Sequence, residues 1–318
     1  MLAPRESQAE PLTLLASKLF VTTSIQSNGL AFDFLSSTEH LYIADNAAQL
    51  RVYTLDGSLV AGPLTLAGGG STQELGLHFV REATTIGAVA LPAGTLTFFR
   101  GGSGALNPTV LYAINKATGS ATASDVLGTS YNSGSCHPLR NRGTGLGYST
   151  RRDLFLSIDP FCQAIADISG GAVTGHFTSQ SILPGQNLGD VKEHPLTGAL
   201  WVGSPATGSQ VMLTEYTQTG TVLREFKVLD AATDDVVFVS RLAFDTSGAR
   251  LWLLAADGDV YEVAVSSAPS AQLVPALGPW GWAVMIVLLG LSALHFRGTR
   301  RRASLMPQPA TRRSDGRV

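Results

Sequence analysis

One short pattern returns along this chain, and it restricts the fold more than any other feature. Residues 29–34 read GLAFDF, and residues 241–245 read RLAFD. Weaker copies lie between them: Leu75-Gly76-Leu77-His78-Phe79, Gly145-Leu146-Gly147-Tyr148 and Asn187-Leu188-Gly189-Asp190-Val191. Aligning Leu30, Leu77, Leu146, Leu188 and Leu242 gives intervals of 47, 69, 42 and 54 residues. The long interval contains two Gly/Ser/Asn-rich stretches, around 100–108 and 128–145.

The order inside each unit is repeated too. In the first, a strand at 29–34 is followed by a second from His40 to Asp45. A third (LRVYTL, Leu50 to Leu55), the turn Asp56-Gly57 and a fourth from Ser58 to Leu66 complete the unit. Second strands return at 153–158, 199–202 and 251–255, and turn residues at Thr118-Gly119, Gly170-Gly171 and Thr219-Gly220. Glycine provides the positive φ that tight hairpin turns need. No long apolar pattern of period 3.6 precedes residue 274. Four short strands repeated every ~40–50 residues predict an all-β fold, a β-propeller over residues 1–265 with about five visible four-stranded blades. The last unit shows only three strands, the third being Val260 to Val265. Residues 12–24 (LTLLASKLFVTTS) are the one unassigned apolar segment able to supply the fourth. Closure of that kind is expected to bury Leu12, Leu14, Leu15, Leu19 and Phe20 and to leave no open sheet edge. If coding sequence is missing upstream, the full protein has six or seven blades instead.

Gly-Leu-Ala-Phe-Asp at 29–33, with Leu-Tyr-Ile-Ala-Asp-Asn at 41–46, is similar to extracellular NHL-type and related propellers. His194-Pro195-Leu196-Thr197-Gly198-Ala199-Leu200-Trp201 faintly resembles calcium-dependent lactonase propellers, although the same stretch reads as a turn between two strands.

Residues 266–273 form a Ser/Pro-containing linker, and 274–302 read VPALGPWGWAVMIVLLGLSALHFRGTRRR. No charge occurs between Glu262 and Arg297. The run 280–296 is at the short end of what spans a bilayer, about 17–25 residues. Trp280 and Trp282 stand at its entrance, and Arg297, Arg300, Arg301 and Arg302 at its exit. A transmembrane helix is therefore expected at 280–296, with a basic cytoplasmic tail at 303–318. Val274, Pro275, Ala276 and Leu277, a two-residue gap, then Trp280-Gly281, an apolar helix and an arginine cluster resemble the IPTL-CTERM sorting signal. Val274 and Ala276 stand where that pattern has Ile and Thr. The resemblance implies export, surface delivery and handling by an exosortase-like membrane enzyme.

Charge agrees with that orientation. The whole chain is −2, but residues 297–318 hold seven Arg and one Asp. Subtraction leaves 15 basic and 23 acidic residues in 1–296, a net of −8. Positive flanks stay in the cytoplasm, so the body is expected outside. An acidic body argues against nucleic acid as a partner. Residues 1–10 carry Arg5, Glu6 and Glu10, and Lys18 interrupts the next apolar run, so no convincing signal core stands at the N-terminus. The preferred explanation is a start assigned downstream of the true one; a cytosolic tail-anchored protein is the rival.

The chain has two cysteines. An exported body permits a Cys136–Cys162 disulfide, which would close a loop of about 26 residues and contribute roughly 3 kcal/mol; two separate thiols are the alternative. Cys136, His137, Cys162 and His176 lack the paired spacing of a zinc site. Gly143-Thr144-Gly145-Leu146-Gly147 lies between a loop and a strand, not between a strand and a helix as a dinucleotide fingerprint requires. His40, His78 and His194 are isolated near strand starts and turns. Asp33, Asp45, Asp190 and Asp245 fall at strand ends, where they cap turns or, gathered at one mouth of a channel, bind calcium through oxygen ligands. Asp234, Asp235, Asp257 and Asp259 read as turn residues. Phe32, Tyr42, Tyr53, Phe155, Trp201 and Trp252 read as blade-to-blade packing. No catalytic residue, metal ligand or cofactor is assigned, calcium being the only candidate ion. The reading is a membrane-anchored or surface-sorted binding module with an unknown extracellular ligand; the alternative is an exported metal-dependent hydrolase of the lactonase or esterase kind.

Overall fold

The computed structural model describes residues 11–22, 27–35, 38–45, 47–67, 75–100, 109–126, 144–159, 164–169, 172–178, 189–204 and 211–265. These residues form 22 β-strands. After β1 (Leu12–Val21), strands follow in groups that match the sequence units. The first sheet is β2 (Ser27–Asp33), β3 (His40–Asp45), β4 (Gln49–Thr54) and β5 (Leu59–Thr65). In the second, β6 (Leu75–Phe79) is followed by a separate hairpin of β7 (Thr84–Ile86) and β8 (Val89–Leu91). The sheet then continues with β9 (Leu96–Arg100), β10 (Val110–Ile114) and β11 (Ala121–Val126). The third contains β12 (Thr144–Ser149), β13 (Leu154–Asp159), β14 (Ala164–Ser169) and β15 (Ala172–Thr178). The fourth contains β16 (Asp190–Glu193), β17 (Leu200–Gly203), β18 (Leu213–Tyr216) and β19 (Val222–Asp230). The fifth is β20 (Val239–Phe244), β21 (Arg250–Ala255) and β22 (Asp259–Ala264), completed by β1.

The first strands of the five sheets build the centre. β2 packs on β6, β6 on β12, β12 on β16, β16 on β20, and β20 back on β2. This is the closed ring of a β-propeller. Burial follows position in the blade. β16 and β20 are buried along their whole length, because both faces meet protein. Outer strands such as β11 expose alternate residues. Fully buried strands read as continuous apolar runs and half-buried ones as alternation. Close approach at the centre requires glycine. A Cβ on Gly76 would lie 2.4 Å from the carbonyl carbon of Gly145, and one on Gly189 would lie 2.2 Å from the Ser240 carbonyl oxygen.

Apolar clusters fill the gaps between neighbouring blades. Leu30, Leu41, Trp252 and Leu254 join the fifth blade to the first, with Phe32 stacked on Trp252 at 4.2 Å between ring centroids. Leu50, Leu75, Leu77 and Phe98 join the first to the second. Phe99, Leu146 and Phe155 join the second to the third, and Leu156, Val191 and Tyr216 the third to the fourth. Trp201, Phe226, Phe244 and Leu251 join the fourth to the fifth. Phe32, Tyr42, Tyr53, Phe155, Trp201 and Trp252 are all buried in these interfaces, as expected of packing residues.

Three sequence expectations are corrected. Leu188 lies outside the described residues, and Val191 takes in the fourth inner strand the fully buried place held elsewhere by Leu30, Leu77, Leu146 and Leu242. The closing segment adds to β22 as expected, but only through residues 16–21; residues 12–16 pair in parallel with β19 of the neighbouring blade. Leu12 and Leu15, on opposite faces of the strand, stay 53% and 58% exposed and are not buried by the closure. Ala16 is the residue of β1 that becomes fully buried.

Candidate functional site

Buried charged side chains lie on β16 of the fourth blade and β20 of the fifth, both inner strands. Asp190 begins β16 fully buried, and Lys192 follows two residues on, on the same face of the strand. Asp190 Oδ1 accepts the backbone N–H of Leu146 (3.0 Å) and of Val191 (3.0 Å), and Oδ2 accepts that of Leu242 (3.0 Å). Lys192 Nζ lies 2.9 Å from the same carboxylate and donates to the carbonyls of Leu77 (3.0 Å) and Leu146. One ion pair thus ties β6, β12, β16 and β20 together across the channel. Burial pushes the Lys192 ammonium down from its usual value, and Asp190 beside it pulls it back up. Arg241, also buried, donates to the carbonyls of Gly189 (2.7 Å) and Ser240 (2.8 Å).

Beyond this plug the channel opens. Phe34, Arg81, Glu82, Tyr148, Thr150, Glu193, Pro195 and Thr246 line a cavity of about 250 Å³; these residues lie at or just beyond the C-terminal ends of all five inner strands. Beneath it, a pocket of about 20 Å³ shares Phe34, Arg81 and Glu193 and reaches His78 and Lys192. Glu193 is buried with every lone-pair direction used. Oε1 accepts Thr150 N (3.0 Å) and Thr150 Oγ1 (2.6 Å), and Oε2 accepts Ser149 Oγ and Gln218 Nε2 (2.6 Å). Arg81 Nη2 donates to the carbonyls of Phe244 (3.3 Å) and Asp245 (2.9 Å), and its guanidinium lies 5.9 Å from the centre of the Phe34 ring. Burial lowers Arg81 to about 10, against the pull of Asp245 and Glu193, so it stays charged at neutral pH. His78 is partly buried as a residue, yet its Nε2 is shielded and without a hydrogen-bond partner. Burial, then the charges of Lys192 and Arg81, hold its imidazole well below the usual value and therefore neutral.

Of the two readings of the strand-end aspartates, three of the four follow the turn-capping one. Asp33 and Asp45 lie at opposite ends of the β2–β3 hairpin, opposite His40 and Ser27 respectively. Asp33 accepts Leu35 N (3.0 Å) and Lys116 Nζ (2.7 Å); Asp45 accepts Ala47 N (2.9 Å), Gln49 N (3.0 Å) and an Arg51 N–H. Asp245 accepts Ser247 Oγ (2.6 Å) and Arg250 N (3.3 Å). Turn capping is the role these three carboxylates perform. Among the described residues, no three His, Cys, Asp or Glu side chains come together in a way that would hold a metal ion. His194 is also a turn residue, its Nδ1 accepting Leu196 N (3.2 Å) and Thr197 N (3.3 Å). Asp257 caps Asp259 N (3.1 Å), and Asp259 pairs with Lys18 of the closing strand. Gly145 and Gly147 lie within β12, not in a phosphate-binding loop. Cys136, His137, Cys162, the sorting motif from Val274 and the arginines from Arg297 all lie outside the described residues.

Arg81, Lys192, Glu193 and Gln218 escaped the sequence reading. One signal for them was available: the fourth unit reads Asp-Val-Lys-Glu where the others carry mostly Gly, Leu, Ala and aromatic residues.

No family model matches the chain, and no curated protein matches it in sequence. Among solved structures it is similar to a gluconolactonase, XC5397, from Xanthomonas campestris (12% identity, 81% of this chain and 96% of that one, TM-score 0.48). Virginiamycin B lyase from Staphylococcus aureus is similar at 11% identity, over 79% of this chain and 99% of that one, with a TM-score of 0.44. A protein of unknown function from Bacteroides caccae matches at 12% identity over 74% of this chain and 72% of that one, with a TM-score of 0.42.

Proposed function

We propose that this chain is an exported propeller, held at the membrane by its C-terminal segment, that works by binding and not by catalysis. One observation carries the reading: the two carboxylates nearest the centre of the ring are spent on internal hydrogen bonds. Asp190 is saturated by three backbone N–H groups and Lys192, and Glu193 by four donors. A hydrolase of the metal-dependent kind needs carboxylates with open coordination, and a general base needs a free lone pair within reach of substrate. Ser149, the hydroxyl paired with Glu193, is fully buried and so unable to meet a substrate carbonyl. What the mouth offers instead is a walled cavity with fixed polar groups, the form of a small recognition site. The proposed membrane helix at 280–296, with Arg300–Arg302 inside, puts this mouth outside the cytoplasm, and an exosortase-like enzyme is the proposed handler of the tail.

The test has two arms. Calcium titration by calorimetry, run beside assays with a lactone and an ester panel, is expected to give no saturable binding and no turnover above buffer. Calcium-dependent turnover that Glu193→Gln abolishes would sink the binding reading. Protease added to spheroplasts is expected to digest residues 1–270 and spare the tail; a protected body would sink the topology.

A further inference from the structure

The mouth of the channel holds more hydrogen-bond donors than it uses. A guanidinium carries five N–H groups. Arg81 spends both of those on Nη2 on the carbonyls of Phe244 and Asp245, and one on Nη1 reaches the Thr246 carbonyl at 3.5 Å. Its Nε–H and second Nη1–H have no partner among the described residues, and the side chain lines both the outer cavity and the pocket beneath it. His78 lines the lower pocket, although its unpartnered Nε2 is shielded from it. Acceptors are the reverse case. Both oxygens of Glu193 are filled, the carbonyls of residues 244–246 face Arg81, and those of Leu77 and Leu146 hold Lys192.

We infer that the mouth binds a small monocarboxylic acid, its carboxylate received by an unused N–H of the Arg81 guanidinium. Charge-assisted bonds from guanidinium to carboxylate are the strong, directional kind. The lower pocket of about 20 Å³ admits a group of roughly water size, such as one carboxylate oxygen. The outer cavity of about 250 Å³ falls below the ~300–1,000 Å³ usual for drug-sized ligands, so the body is limited to the size of about one small ring against Phe34, Tyr148 and Pro195. Glu82 and Glu193 on the cavity wall disfavour a second carboxylate. The charge of Glu193 also keeps the affinity modest.

This inference deepens the binding reading and rests on it. The probes are benzoate and its neutral isostere benzamide, titrated by calorimetry into the full chain in detergent micelles. Benzoate is expected to bind saturably and about tenfold more tightly than benzamide, the value of one charge-assisted contact. Arg81→Gln should abolish that preference. Because Arg81 also braces residues 244–246, His78→Phe and Phe34→Ala are measured beside it, below the melting temperature recorded for each variant, and each should weaken benzoate severalfold. Benzoate that fails to bind folded protein, or binds no better than benzamide, overturns the carboxylate assignment. So does benzoate binding that His78→Phe and Phe34→Ala leave untouched. Benzamide that binds as tightly as benzoate and is lost on Phe34→Ala would overturn the carboxylate while leaving a binding mouth. The failure of the binding reading itself shows differently, as calcium-dependent turnover.

Discussion

Asp190 is the residue through which the centre of the ring is held. It takes N–H groups from three inner strands and neutralises a lysine with no access to water. Removing one partner of a buried ion pair leaves an uncompensated charge, whereas removing both costs far less. Asp190→Ala is therefore expected to lower stability by about 3–5 kcal/mol in urea denaturation, and Lys192→Met in the same chain should restore part of the loss. A double variant as unstable as the single one would show that the backbone bonds, and not the charge, decide the cost. His78 governs pH dependence by the opposite logic, being buried neutral. Its folded value is held well below the unfolded one, so the unfolded chain binds a proton that the folded chain does not. The stability gained from a neutral His78 is complete above pH ~6.5 and is lost as pH falls from there toward the folded value, at about 1.4 kcal/mol per pH unit. His194, also lowered chiefly by burial, acts in the same direction. Stability curves between pH 6.5 and 5 should be flatter for His78→Gln than for the parent; identical slopes would mean that His78 is protonated in the folded protein.

Among elements, β1 has the largest consequence for its length. Its second half closes the last blade against β22, and its first half fastens the same strand to β19 of the blade before. One segment therefore joins two sheets into a continuous eight-stranded one. Lys18 pairs with Asp259 across the closure, and Leu14, Leu19 and Phe20 pack on the clusters to either side. Deleting residues 1–21 removes about ten backbone hydrogen bonds, each contributing ~1 kcal/mol net before the entropy of ordering the strand is set against it. A net loss on the order of 3–6 kcal/mol is expected once partial side-chain burial is included. The exposed edges of β19 and β22 should promote aggregation. Light scattering and thermal melts of the deletion variant test this, and a monomer that melts like the parent would remove β1 from the ring's stability. The strand was legible because the last unit visibly lacked a fourth strand. Its double pairing was not, since parallel docking onto β19 depends on where the fourth blade's outer edge arrives in space. The β7–β8 hairpin was not legible either, because three-residue strands are too short to establish a period of two.

At the scale of the whole molecule, the closed ring brings together residues far apart in sequence. The outer cavity is lined from Phe34 to Thr246, with a contribution from every blade. By itself the sequence determined the all-β class, the four-strand unit, the positions of most turns and the supply of the closing strand by the N-terminal segment. All of these are local properties: a period of two, a glycine where φ must be positive, an apolar run of strand length. Only the tertiary structure decided what the polar residues do. Asp33, Asp45, Asp190 and Asp245 look alike in sequence, each at the end or beginning of a strand. Pairing sends Asp33 and Asp45 to opposite ends of one hairpin, leaves Asp245 capping a turn and carries Asp190 into the channel. Arg81 and His78 acquire significance only because the ring closes around them and brings both to one mouth. Burial and partnership are sums over neighbours from all five blades, and no window along the chain contains those neighbours.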